Sequence, residues 1–600
     1  MSMKPYSKPA LHLFLIALLG LLAYSNSFHV PFFLDDDGSI LNNMVIKDLS
    51  RFLSGDGYAY NPRRFLGYLS VALNYRFGGL DVTGYHVFNL AVHIITAWLV
   101  YALAAVTLRT PFFAEAAPKL DEAAAPPTTM VPLFAALIFV AHPVQTQAVT
   151  YIIQRLAALA TLFYVLSLVC YAKARLVQEA KGKALGLKPV SLYLLALAFA
   201  GCAMKTKEIA FTLPFVIALY EFLFFRMSTA KKLAVLAPMV LTAVVVPLGV
   251  LGSGRSMGSL LSEVNALTRV DTNVSRLDYL FTQFPVIATY LRLFFLPVNQ
   301  NLDYDFPVYH SFVSLPVLLP FLLLLALFLL SLFLLRRSWD PRVRLISFGI
   351  LWFFITISVE SSIIPIADVI YEHRVYLPSV GAFIAFAAAA SLLLRRVPAL
   401  ASMAAATVVV LALAGTTFAR NQVWGSEVSL WSDAVRKAPN KARPHYNLAL
   451  ALDKVNRSDE ALPHAVEAAR FAPSEPYAYN LIGSIMAKTG RIEQAAAALT
   501  EAVRLAPQVP APHVNLGDIY AKAGQTAQAL EQYQIALQLM PTDADIYHKI
   551  GVVHAVSNDM DKAVIFFQCA ASIAPQRPDY RVDLEKARNL LGSRVAPQMH

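Results

Sequence analysis

Long apolar runs separated by short polar links fill the chain from about residue 9 to residue 418 and then stop. Runs near the roughly 20 residues that cross a bilayer occupy 9–27, 83–107, 130–147, 148–172, 190–206, 208–227, 232–251, 313–335, 344–360, 379–394 and 398–418. The pattern predicts an all-α, polytopic membrane region of about eleven spans. A further apolar stretch, Phe281 to Leu296, contains Pro285 and Arg292 and ends at Pro297. Those residues suit an interfacial or re-entrant helix better than another crossing. The links sort by charge. Arg175, Lys181, Lys183 and Lys188 fall in one, Arg226, Lys231 and Lys232 in a second, Arg336, Arg337, Arg342 and Arg344 in a third, Arg395 and Arg396 in a fourth. With Lys4 and Lys8 they mark a single side, which cation bias makes cytoplasmic. Segments 28–82, 252–312, 361–378 and everything beyond 418 then share the opposite side.

Past residue 420 the apolar period changes to that of paired amphipathic helices. Ala449, Gly483, Gly517 and Gly551 stand 34 residues apart, as do Ala461, Ala495, Ala529 and Ala563, and Pro473, Pro507, Pro541 and Pro575. Three phased markers at this interval specify tetratricopeptide repeats: small residues where two helices cross closely, and Pro near the turn into the next unit. The expected organisation is a membrane domain over 1–420, a connector helix over 421–441, and a repeat solenoid over 442–600. Units begin near 442, 476, 510 and 544, with a closing helix around 579–592. Such solenoids present a concave face to partners, which points to an extended peptide or protein.

Composition agrees with a lipid environment: 57% of the 600 residues are hydrophobic and 15% charged, against about 25% charged in soluble domains. The net charge of +11 comes mostly from the short basic links, so it argues for topology and against a nucleic-acid partner. Cys170, Cys202 and Cys569 show neither a disulfide framework nor zinc-ligand spacing.

Ionisable groups beside apolar spans are functional candidates, because hydrocarbon penalises them. Asp35, Asp36 and Asp37 follow the first span; like charges this close oppose each other's ionisation, so they need solvent, a cation or a substrate. His86, Asn89 and His93 share a helical face. His142, Gln145, Gln147, Gln154 and Arg155 occupy the turn at 142–155. Lys205, Lys207 and Glu208 lie between two runs, and Glu360, Asp368, Glu372, His373, Arg374 and Tyr376 near 360–376. All map to one side. His86 and His93 read either as a weak metal pair or as a buried pair bonded to neighbouring helices. Arg64, Arg155, Lys207 and Arg374 suit a phosphate, with Arg supplying a bidentate fork. A carboxylate facing such a phosphate fits proton abstraction from an attacking hydroxyl. Glycosyl transfer from a polyprenyl-phosphate sugar joins these parts. No GxGxxG or Walker A sequence offers a nucleotide donor instead.

An ordered set of fragments carries a family resemblance. It comprises Phe33-Leu34-Asp35-Asp36, Arg64-Phe65-Leu66, Leu73-Asn74-Tyr75, Gly84-Tyr85-His86 with Asn89 and His93, His142-Pro143-Val144-Gln145-Thr146-Gln147, Lys207-Glu208, and Glu372-His373-Arg374-Val375-Tyr376-Leu377-Pro378. The chain resembles the C superfamily of membrane glycosyltransferases that use lipid-linked sugars. Within it, the branch with C-terminal tetratricopeptide repeats, the transmembrane-and-TPR protein O-mannosyltransferases, is most similar. The resemblance implies an inverting transferase with Asp35 or Asp36 as base and Asp37 as an extra acid. It implies Arg64, Lys207 and Arg374, with Arg155 beside them, as donor-phosphate ligands. His86, Asn89, His93, His142, Gln147, Glu208, Glu372 and Tyr376 are supporting residues. A divalent metal at Asp35 and Asp36 stays open. Gln147 replaces the Glu usual in the eukaryotic branch, and Gln154-Arg155-Leu156-Ala157 replaces its Gly-Arg-Ala-Asp stretch, which leaves the sugar unassigned. The expected acceptor is a hydroxyl of an exported protein; a glycan or lipid acceptor, or a non-enzymatic scaffold for envelope proteins, are the alternatives. The basic, compact chain suggests a bacterial inner membrane, with the N-terminus cytoplasmic and the repeats periplasmic.

Overall fold

The computed structural model describes residues 9–116, 126–181, 186–247, 274–337 and 340–595. Lys4, Lys8 and Lys183, the end of the 232–251 run and residues 252–273 of the following segment lie outside the described residues. The chain divides between Ser426 and Glu427 into two compact units.

The longer helices of the first unit are α1 (Pro9–Ala23), α2 (Phe65–Gly78), α3 (Val82–Thr107), α4 (Pro126–Ala141), α5 (Arg155–Lys181), α6 (Leu187–Met204), α7 (Leu213–Phe224), α8 (Thr229–Thr242), α9 (Arg276–Phe295), α10 (Leu315–Arg337), α11 (Pro341–Ile357), α12 (Tyr376–Leu393) and α13 (Ala399–Val423). Among the described residues seven helices are long and apolar enough to cross a membrane, or eight if one bent pair is a single span. The expected eleven are therefore not all found. The run 9–27 forms a helix of 15 residues, about 22 Å long. The run 208–227 breaks into a tight turn at Glu208–Thr212 and the 12 residues of α7. The run 344–360 yields 17 residues that begin at Pro341, and 130–147 bends by 52° at His142-Pro143. A hydrocarbon core of about 30 Å needs about 20 helical residues, so each of these falls short.

Burial separates the centre of this unit from its rim. The apolar window of α5 is 78% buried and that of α10 only 17%, so α5 is central and the leucines of α10 face outward. Gly349 of α11 sits against the carbonyl of Gly381 and against Ala385 on α12, while Gly381 sits against Trp352. Larger side chains would hold these two helices apart.

In the second unit, α14 (Glu427–Lys437) precedes four helix pairs: α15 (Ala442–Lys454) with α16 (Ser458–Phe471), α17 (Pro476–Lys488) with α18 (Ile492–Leu505), α19 (Pro510–Lys522) with α20 (Thr526–Leu539), and α21 (Ala544–Val556) with α22 (Met560–Ile573). Helix α23 (Pro578–Val595) closes the stack. Residues 421–441 are not one helix: α13 continues to Val423 and α14 starts anew at Glu427. The phased glycines have a steric cause, since Gly483 packs on Leu499, Gly517 on Tyr533 and Gly551 on Phe567. Consecutive units are also tied by side chains of the first helices: Asn515 donates to Asn480 at 2.8 Å, Lys549 to Asp518 at 2.7 Å and His548 meets Asp583 at 3.0 Å.

Candidate functional site

Local backbone separates the three adjacent acids. Leu34 adopts φ +46°, a left-handed conformation costly for a residue with a branched side chain. This reversal turns Asp36 inward and leaves Asp35 and Asp37 exposed. Asp36 is 0% exposed; its Oδ2 accepts from Phe33 N at 3.0 Å and its Oδ1 from Ile153 N at 2.8 Å. Burial pushes its pKa up to about 7, against the pull of those two N–H groups and of Arg155, while Asp35 adds repulsion. Asp36 thereby fastens the first loop to the corner that leads into α5. The backbone N–H of Asp35 donates to the Tyr151 hydroxyl at 2.8 Å. Burial first, and then the Asp35 and Asp36 charges, push the Tyr151 pKa upward.

Arg155 serves this corner and not a ligand. It is 0% exposed, its Nη1 donates to Asn74 Oδ1 and its Nη2 to the Tyr85 carbonyl at 3.2 Å. Its guanidinium also lies 4.8 Å from the centre of the Phe88 ring. These contacts leave no open face for a donor phosphate, which corrects the role expected for it. Asn89 braces the same corner by donating to the carbonyls of Val149 at 3.0 Å and Ile152 at 3.2 Å.

The other three cations meet elsewhere. Arg64 grips Glu208, with Nε 3.2 Å from both carboxylate oxygens and Nη2 3.1 Å from Oε2; Arg63 lies 3.9 Å from the same carboxylate. Burial pushes the Glu208 pKa up, but Arg64 outweighs it and holds the group down at about 2. Lys207 Nζ is 2.8 Å from Glu360 Oε1. Arg374 donates to the carbonyls of Val369 at 3.1 Å and Asp368 at 2.6 Å, and both it and Arg64 feel the Glu360 charge. Arg64, Lys207 and Arg374 thus gather around Glu360, and all three act on the His373 ring. With Arg63 as a fourth cation against Glu208 and Glu360, the cluster suits a phosphate.

The remaining expected residues hold the scaffold. His86 Nε2 meets the Val30 carbonyl at 2.8 Å. Both ring nitrogens of His93 are engaged, with the Tyr376 hydroxyl at 2.7 Å and the Val140 carbonyl at 3.2 Å. Both rings are buried, as the reading of a pair bonded to neighbouring helices expects. His142 caps the bend by accepting from Val144 N at 3.2 Å, and its Nε2 meets the Phe294 carbonyl at 3.1 Å. Gln147 accepts from His373 N at 2.8 Å. Glu372 is buried under residues the sequence reading passed over: Asn301 N at 2.9 Å, the Tyr304 hydroxyl at 2.6 Å and Gln300 Nε2 at 2.6 Å. A run of amides at 299–301 directly after an apolar helix was the available signal. Tyr151 was also passed over. Among the described residues, no group of three or more His, Cys, Asp or Glu is placed to hold a metal.

Comparison with known proteins places the chain among similar molecules. A tetratricopeptide repeat family matches residues 432–510 and a TPR repeat family matches 517–555. Protein O-mannosyl-transferase tmtc2 of Xenopus laevis is 29% identical over 236 residues, 37% of this chain and 25% of that protein. Protein O-mannosyl-transferase TMTC3 of Homo sapiens is 23% identical over 482 residues, 74% of this chain and 50% of that protein. Protein O-mannosyl-transferase F38B6.6 of Caenorhabditis elegans is 23% identical over 464 residues, 74% of this chain and 60% of that protein. Matches of that length extend well beyond the repeats into the membrane unit, so the resemblance read from the sequence is borne out. The chain spans about a quarter of the first of these relatives and half or slightly more of the others. Among solved structures, the crystal structure of TTC0263, a thermophilic TPR protein in Thermus thermophilus, is 23% identical and covers 27% of this chain and 88% of its own, with a TM-score of 0.25. The expected bacterial inner-membrane location is overturned: these relatives are animal proteins, from Xenopus laevis, Homo sapiens and Caenorhabditis elegans. The multi-pass membrane character stands.

Proposed function

We propose that this relative of the transmembrane-and-TPR O-mannosyltransferases moves one sugar from an isoprenoid-phosphate donor to a hydroxyl of a protein, with inversion at the anomeric carbon. Asp35 takes the proton as the acceptor oxygen attacks that carbon. The bond between the anomeric carbon and the phosphate oxygen breaks, and the lipid phosphate leaves with its electron pair. Arg64, Lys207 and Arg374 neutralise the charge that develops on the phosphate. The observation that carries this reading is the contrast between neighbours: Asp35 is exposed, whereas both oxygens of Asp36 are occupied by backbone N–H groups. Asp36 is accordingly a positioning residue. Similarity to enzymes of this class supports glycosyl transfer in general; the donor and acceptor are the finer part of the proposal. Its repeats are of a kind that binds peptides and proteins, and they would present the acceptor.

The test uses the full chain purified in detergent, with polyprenyl-phosphate mannose or polyprenyl-phosphate glucose and Ser/Thr-containing polypeptides as acceptors. Mass spectrometry should find one added hexose on a hydroxyl residue, absent with Asp35→Asn. Hexose addition to lipid alone, or unchanged transfer by Asp35→Asn, would refute it.

A further inference from the structure

The cations assigned to the donor phosphate already face two carboxylates, and the fold holds these two acids very differently. Glu208 takes the Arg64 fork through contacts of 3.2, 3.2 and 3.1 Å, with Arg63 at 3.9 Å. Glu360 reaches Lys207 through Oε1 at 2.8 Å. Among the described residues this is the sole ion pair or hydrogen bond of its carboxylate. Its charge nevertheless acts on Arg64 and Arg374 as well. One acid thus stands amid all three phosphate-binding cations on a single contact.

The segment that carries Glu360 is fixed by its backbone and not by that side chain. Glu360 follows α11 by three positions, and the Tyr279 hydroxyl donates to its carbonyl at 2.9 Å. Further along, Gln283 Nε2 and Arg374 Nη1 donate to the Val369 carbonyl at 3.2 and 3.1 Å. The residues between these anchors form no helix or strand. Rotation about the side-chain bonds of Glu360 can therefore withdraw its carboxylate while both anchors stay in place. Charge balance permits the exchange. A sugar joined to an isoprenoid through one phosphate is a diester with a single negative charge, so it can replace one carboxylate and leave the buried cations equally matched. Once the sugar has gone, the lipid monophosphate carries about 1.5 to 2 negative charges at neutral pH and holds the cations harder. A carboxylate on hand to compete for Lys207 then aids its release.

Resting on the reading of Arg64, Lys207 and Arg374 as phosphate ligands, we propose that the Glu360 carboxylate is an internal stand-in for the donor phosphate. It neutralises these cations until a lipid phosphate takes its place, and it competes with the product for them. The test titrates the full chain in neutral detergent with a sugar-free polyprenyl phosphate, read by native mass spectrometry, beside thermal unfolding of each protein. Glu360→Gln deprives buried Lys207 of its counter-ion and should lower the unfolding midpoint, yet it should bind the probe about ten-fold tighter. A residue that merely braces the site, or that itself holds the donor, would lose affinity along with stability. Glu360→Asp, one methylene shorter, draws the carboxylate back from Lys207 and should bind tighter than the parent by a smaller factor; it decides the matter if the Gln variant does not fold. Binding by the parent with equal or weaker binding by the folded variant overturns the role of Glu360 and leaves the phosphate site standing. Binding by neither protein removes the phosphate site and the stand-in together.

Discussion

Replacing Asp36 by Asn should change how stability depends on pH. In the folded protein the Asp36 pKa stands at about 7, whereas an unfolded chain gives about 4. The folded state therefore holds the proton more tightly, and stability rises as pH falls from about 7 toward about 4. Each pH unit is worth about 1.4 kcal/mol, so acidifying from pH 8 to pH 5 gives about 3 kcal/mol from this group. For a unit of some 400 residues that is a rise of about 3 °C in the unfolding midpoint. Asp36→Asn removes the titration but keeps an acceptor for only one of the N–H groups of Phe33 and Ile153. The orphaned donor costs about 1–3 kcal/mol at every pH. Thermal unfolding of the detergent-solubilised parent and variant, followed at pH 5, 6, 7 and 8, reads both effects. Subtracting the two series cancels the other titrating groups. The variant should lose the acid-side gain attributed to Asp36. Parallel curves would refute the idea that a buried, unneutralised carboxylate fastens the first loop to the α5 corner.

Further consequences concern the cation cluster, the 299–304 loop and the repeats. Arg64→Lys removes the fork on Glu208 and should raise the KM for the lipid donor roughly ten-fold while changing kcat less; an unchanged KM would remove Arg64 from donor binding. Glu372→Gln exchanges an acceptor that takes three hydrogen bonds for an amide, at about 1–3 kcal/mol, and hydrogen exchange at 299–304 should accelerate. Gly517→Val drives a side chain into Tyr533 and should destabilise the repeat unit by about 1–3 kcal/mol, read as a lower unfolding midpoint.

The helical nature of both units and the repeats are legible in the sequence because each rests on a period that local residues enforce. The 34-residue spacing reflects small residues at the helix crossings, three of them glycines that must meet Leu499, Tyr533 and Phe567, and no distant contact is needed to see them. Span number is less legible. Hydropathy measures apolar content but not helix continuity, so it joins Glu208–Thr212 to α7 and passes over the bend at His142-Pro143. Arg155 shows the same limit at a site. Its charge advertises a ligand, while its partners Asn74 and Tyr85 are 81 and 70 residues away in sequence. Spacing also gives no means to rank Asp35 over Asp36. That distinction depends on one left-handed residue and on the N–H of Ile153, both consequences of tertiary folding.

A direct comparison of sugar-transfer rates for Asp35→Asn and Asp36→Asn, each normalised to its folded fraction, addresses the chemistry itself. Loss of the outward carboxylate should lower kcat by about 10²–10⁴-fold with stability within about 0.5 kcal/mol of the parent, while the inward replacement should retain more transfer and lose stability. Full activity in folded Asp35→Asn, with activity abolished only by the inward replacement, would contradict the assignment of the base.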